Sequence, residues 1–161
     1  MSIMSSGHLK FACLFLASVI VSVGSTAHAD TIDTHGNICS AFKASDVADI
    51  DYLASGVRNI NPAPRQVTCA VPRTPLPQGA TGRFLISGSN RPHATTSCTL
   101  FSYSPLGSLL GSQSFITGAT SFNVLLSFAR SQLPQFAYVN LVCSLTGNGN
   151  SILRGISAVA W

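Results

Sequence analysis

The ten residues FAYVNLVCSL (136–145) alternate without a break. Ala137, Val139, Leu141, Cys143 and Leu145 take every second position and are all apolar. A period of two is the mark of a strand with one face on a core, because successive side chains leave a pleated chain on opposite sides. The same alternation recurs in FNVLLSF (122–128), where Phe122, Val124, Leu126 and Phe128 share a face. It recurs again in TTSCTLFSY (95–103), with Cys98 and Leu100 on one face and Phe101 and Tyr103 on the other.

QVTCAVPR (66–73) poses a chemical question, since Cys69 lies four residues before Arg73 and could be an activated thiol. The strand reading answers it. Val67 and Val71 share the face of Cys69, and Pro72 ends the strand before Arg73. An apolar surround raises a thiol pKa and quiets it, so Cys69 is expected to be half of a disulfide.

Working outward, GRFLISGS (82–89) reads as a strand and SPLG (104–107) as a turn, with SLLGSQSFI (108–116) returning as a hairpin. TGNGN (146–150) is a tight turn leading into SILRGISAVAW (151–161). Residues 48–54 alternate as a strand that would carry Asp49 and Asp51 on its wet face, with a short helix as the competing reading. NPAP (61–64) and PRTPLPQGATG (72–82) are loops by their prolines. The sum is an all-β, antiparallel β-sandwich, jelly-roll-like, of about eight strands and one domain over residues 30–161.

The N-terminus has a different logic. A short polar stretch with Lys10 leads into the apolar run FACLFLASVIVSV and then into GSTAHAD. This is the pattern of a cleaved secretory signal peptide over residues 1–29, with cleavage expected between Ala29 and Asp30. The run falls short of the roughly 20 apolar residues needed to span a bilayer, and no later segment is long and apolar enough either. The expected location is therefore periplasmic or extracellular.

Beyond the signal stand Cys39, Cys69, Cys98 and Cys143. An even count in an exported chain reads as two disulfides. Four cysteines allow three pairings, and all three stay open on sequence alone. Cys39–Cys69 with Cys98–Cys143 is favoured because each pair then flanks neighbouring strands, with loops worth about 3–4 kcal/mol each in the chain-entropy model.

The segments ICSAF, DIDYLASGVRNI, VTCAVPR, SCTLFSYSPLGSLL and YVNLVCSL, followed by a last apolar strand, resemble a group of small exported bacterial disulfide-bonded β-domain proteins of unassigned function. The resemblance runs from about Cys39 to the end. It implies a disulfide-bonded β-domain and carries no catalytic residue over.

Charge is sparse and lopsided. There is no glutamate, and the acids Asp30, Asp33, Asp46, Asp49 and Asp51 all precede the arginines at 58, 65, 73, 83, 91, 130 and 154. The expectation is an acidic N-terminal part lying against a basic body, with a face for an anionic surface or a polysaccharide as the sharper alternative. The arginines stand singly, without the basic stripe and stacking aromatics that nucleic-acid binding requires.

Catalytic material is thin. Asp49 and Asp51 on one strand face cannot flank a sugar from opposite sides. His35 and His93 are the histidines outside the signal, and neither sits in a metal-binding or zinc-protease pattern. DTHGN (33–37) reads as a flexible lead-in rather than a metal site. The tyrosines at 52, 103 and 138 and most phenylalanines read as core. No catalytic, cofactor-binding or metal residue is therefore assigned. The expected function is a non-catalytic exported binding or structural module for an envelope or extracellular ligand. A small hydrolase using His93 or His35, and a fimbrial or coat-like structural subunit, are the alternatives.

Overall fold

The computed structural model describes residues 31–72 and 81–160. The expected signal cleavage, most of the 72–82 loop and Trp161 lie outside the described residues. Eleven strands are present among the described residues. They are β1 (Thr31–His35), β2 (Cys39–Ala41), β3 (Ile50–Leu53), β4 (Gly56–Asn59), β5 (Arg65–Val71) and β6 (Gly82–Asn90). Then come β7 (Thr96–Tyr103), β8 (Leu109–Thr117), β9 (Phe122–Phe128), β10 (Tyr138–Leu145) and β11 (Ser151–Ala160).

They form two antiparallel sheets packed face to face, a jelly-roll-like β-sandwich. The first runs β3-β4-β11-β6-β9, with β1 also against β11. The second runs β2-β5-β10-β7-β8. The strand count exceeds the expected eight because three short N-terminal strands carry too few residues to show a period. DTHGN is one of the differences: it is not a loose lead-in but the end of β1, paired with β11 from Thr31↔Val159 to His35↔Gly155, and the start of a 3-10 turn. Likewise Ala44–Asp49 is a 3-10 helix, so Asp49 ends a helical turn and only Asp51 lies in β3.

Alternation builds the core. In β10, Val139, Leu141, Cys143 and Leu145 are all buried, in one cluster with Phe84, Ile86, Phe122 and Phe128 of the other sheet. Phe84 and Phe128 meet edge to face at 6.0 Å, the geometry that the aromatic quadrupole favours. Leu133, in the β9–β10 connection, is buried with this cluster.

Both disulfides lie on the inner face of the second sheet. Cys39 pairs directly with Cys69 across β2 and β5, with Cα atoms 4.0 Å apart. Cys98 pairs directly with Cys143 across β7 and β10, with Cα atoms 4.1 Å apart.

In β11 the pairing shifts between Leu153 and Gly155, so Leu153 and Ile156 both point inward although three residues apart. A bulge changes which parity faces the core. The fold makes room for it with two glycines. A Cβ on Gly36 or on Gly56 would run into the Leu153 carbonyl, and Gly56 sits at φ 141°, which side-chain-bearing residues rarely adopt.

Replacing Cys98 and Cys143 together by alanine is expected to lower unfolding stability by about 2–4 kcal/mol, read from urea denaturation. A loss below about 0.5 kcal/mol would mean that the β7–β10 pairing stands without the cross-link.

Candidate functional site

The outward faces of β5, β10 and β7 form the second sheet's wet surface, and their register fixes which side chains become neighbours. Tyr138 stands opposite Tyr103, Asn140 opposite Phe101, Val142 opposite Thr99 and Ser144 opposite Ser97. On the other flank Ser144 faces Gln66 and Val142 faces Thr68. The Phe42 N–H donates to the Gln66 carbonyl at 2.9 Å, which carries Phe42 to the same end of the sheet.

All of these but Tyr138 and Thr68 line a groove of about 380 Å³. Phe101 and Tyr103 stand at its β7 side and Phe42 at its β2 side, with Gln66, Thr99, Asn140 and Ser144 among the residues between. Three strand spacings, roughly 14 Å, separate β2 from β7 across the sheet, and the groove runs diagonally, because Phe42 bonds at Gln66 while Phe101 is level with Asn140 and Ala70, further along the strands. The lining is uncharged.

The aromatic wall continues beyond the groove. Phe101 and Tyr103 stack with centroids 6.0 Å apart, and Tyr103 stacks on Tyr138 at 5.6 Å. Tyr138 is half exposed. The expectation that the tyrosines belong to the core is thus overturned, for Tyr52, which is 46% exposed, as for the stacked pair Tyr103 and Tyr138. They take the parity opposite to Cys98, Leu100 and Cys143, which the core occupies. The signal is present in TTSCTLFSY, where Phe101 and Tyr103 fall on the face away from Cys98.

Polar side chains fix the floor. The Thr68 hydroxyl donates to Asn140 Oδ1 at 3.0 Å, which holds the carbonyl side of that amide toward β5 and leaves its N–H groups for the groove. Thr99 and Ser114 share a hydroxyl bond of 2.9 Å on the same surface.

A second hollow, of about 410 Å³, adjoins the first through the shared Gln66 and Ser144 and is lined also by Lys43, Asp46 and Arg65. Here the acidic segment meets the basic body. Arg65 Nε donates to Asp49 Oδ2 at 2.7 Å and stands 3.7 Å from Asp46 Oδ1, while Arg58 reaches Asp51 Oδ2 at 2.7 Å. The hydrogen bond from Arg65, and after it one from Asn61, holds the Asp49 carboxyl below its ordinary value; Arg65 is raised in return, chiefly by the same bond.

Neither histidine lines either hollow. His35 ends β1 opposite Gly155, and His93 sits in the β6–β7 turn at φ 68°. Among the described residues no three of His, Cys, Asp or Glu gather as a metal set. No helix among them is long and apolar enough to cross a membrane.

No family model matches the chain, and no curated protein matches it. Solved structures do. A xylan-binding module, CBM15, superimposes with a TM-score of 0.50 over 81% of this chain and 96% of its own, at 12% identity. A family 35 carbohydrate binding module from Clostridium thermocellum gives 0.47 over 80% of this chain and 97% of its own, at 11% identity. At such identity the likeness to the xylan-binding module is one of fold: a jelly-roll sandwich of matching extent.

Because Asp49 titrates lower folded than unfolded, its bond to Arg65 contributes above the ordinary carboxylate value of 3.8 and is lost as pH falls through the folded value. The urea midpoint should therefore drop on acidification from about pH 4 to 2, and drop less in Asp49→Asn. Equal slopes in the two proteins would remove Asp49 from the acid response.

Proposed function

We propose that the protein is an exported module that binds a polysaccharide on the outer face of its five-stranded sheet. The observation that carries the reading is the groove between Phe42 and Phe101: aromatic side walls with a floor of hydroxyls, amides and the apolar Val142, and no charge. A sugar ring has an apolar C–H face and a rim of hydroxyls. The first packs on an aromatic ring, and the second needs donors and acceptors at fixed places. Asn140 offers amide N–H groups, Gln66 both donor and acceptor, and Thr99 and Ser144 hydroxyls.

The fold shared with a xylan-binding module supports the reading by architecture. The signal-like N-terminus and the two disulfides support a setting outside the cytoplasm, where such polymers are met. Binding on this face asks nothing of His35 or His93, so the reading is of a non-catalytic module. Uncharged glycans suit the groove better than an anionic surface, since the groove's own lining holds no charged side chain.

The test is affinity electrophoresis and calorimetry against a panel of soluble neutral and acidic plant and microbial polysaccharides. At least one neutral polymer should bind. Phe101→Ala should weaken that binding about tenfold or more, a loss of about 1.4 kcal/mol, with the unfolding midpoint little changed. Binding untouched by Phe101→Ala and by Phe42→Ala would place the ligand elsewhere, and no binding across the panel would end the proposal.

A further inference from the structure

Among the described residues β8 is an edge of the second sheet, paired only with β7. It is nine residues long, and its sequence LLGSQSFIT has neither a charge nor a proline. The neutrality is wider than the strand. From Pro92 to Ala129 the chain contains no Asp, Glu, Lys or Arg, in a protein of net charge +4. Monomeric sandwiches guard such edges with lysines, prolines or mid-strand bulges, because a row of unpaired N–H and C=O groups is a template for another strand. The one irregularity here lies at the start of β8, and Gly111–Thr117 pairs regularly with β7.

The outward side chains say what fits the edge. Ile116 pairs with Ser97 and Leu109 with Tyr103, so both lie on the same outer face as the groove. Ile116 is 72% exposed and Leu109 57%. They stand near opposite ends of the strand. Antiparallel pairing of β8 with its own copy, centred on Gln113, sets Ser112 opposite Ser114 of the other copy. It also brings Ile116 of each chain beside the outward Leu109 of the other, while Leu110 packs on its own core. Hydroxyl then meets hydroxyl, aliphatic meets aliphatic, and no like charges meet.

We infer that β8 is a dimerisation edge, and that its occupant is β8 of a second copy of this chain. A two-fold axis that pairs antiparallel strands edge to edge stands perpendicular to the sheet, so the interface closes on itself and the five-stranded sheets join into one. The two outer faces then look the same way. If the groove binds a polymer, the dimer presents two grooves to one surface, which raises avidity without any new contact. The interface itself does not depend on what the groove binds.

Sedimentation equilibrium of the purified protein tests this directly, over a concentration range of about a hundredfold. The expected result is a reversible dimer at twice the chain mass. Ile116→Lys and, separately, Ser114→Lys should sediment as monomers with an unchanged circular dichroism spectrum, since the first sets a charge against an aliphatic end of the other copy and the second brings two lysines close across the axis, both at exposed positions. The Gln113→Cys variant should cross-link to a covalent dimer under mild oxidation, reporting the register. A wild-type protein that stays monomeric throughout the range overturns the inference. So does a dimer that survives both lysine variants, or a Gln113→Cys variant that fails to cross-link.

Discussion

The pairing of β7 with β10 is the constraint on which the rest of the molecule depends. Cys98 and Cys143 are directly opposite each other and covalently joined, so these strands cannot slip. A slip of one residue would exchange the two faces of a strand. Here that exchange would put Leu141 and Leu145 in water and drive Tyr138, Asn140 and Ser144 into the core. The same bond that secures the inside therefore places Tyr103 against Tyr138 and Phe101 beside Asn140 on the outside. Core and groove are two readings of one register.

The other disulfide does the same work at the margin. β2 has only three residues, and a strand so short has little hydrogen bonding of its own to hold it. Cys39–Cys69 anchors it to β5, and Phe42, the groove's far wall, follows immediately after. Beyond Phe42 the chain enters the 3-10 turn whose Asp46 and Asp49 gather Arg65. The pair is partly buried, and it ties the acidic turn to the start of β5 beside the groove.

The regular strands are legible in the sequence because their alternation is long. FNVLLSF, FAYVNLVCSL and TTSCTLFSY each carry enough positions for the period of two to stand out, and the inward residues it marks in all three do pack toward the core. Short elements are not legible. β1 is held by β11, far along the chain, and β4 lies between β11 and its hairpin partner β3; nothing local in DTHGN or GVRN announces β11. The bulge in β11 has one local sign, Gly155 within SILRGISAV, at the edge of the shift, and nothing beside it says which parity changes. The groove is half visible. Alternation alone puts Phe101 and Tyr103 on the face away from Cys98, and Tyr138 on the face away from Cys143. Period tells which side chains share a face, but only the cross-strand register tells that Phe101, Tyr103 and Tyr138, from two strands, form one stack.

The groove gains from being built on strands rather than loops. A ligand that must order a mobile site gives up part of its interaction free energy to that ordering. Here the outward residues are every second position of strands whose other positions are buried and cross-linked, so their backbone is already fixed. Thr68 holds Asn140, and Ser114 holds Thr99, before any ligand arrives. The hydroxyl bond between Thr99 and Ser114 also ties the groove to β8, the edge strand, because Thr99 lines the groove and Ser114 lies on β8. Anything that pairs with β8 would order the strand that supports this side of the groove. The proposed binding face and the proposed pairing edge therefore meet at the Thr99–Ser114 bond.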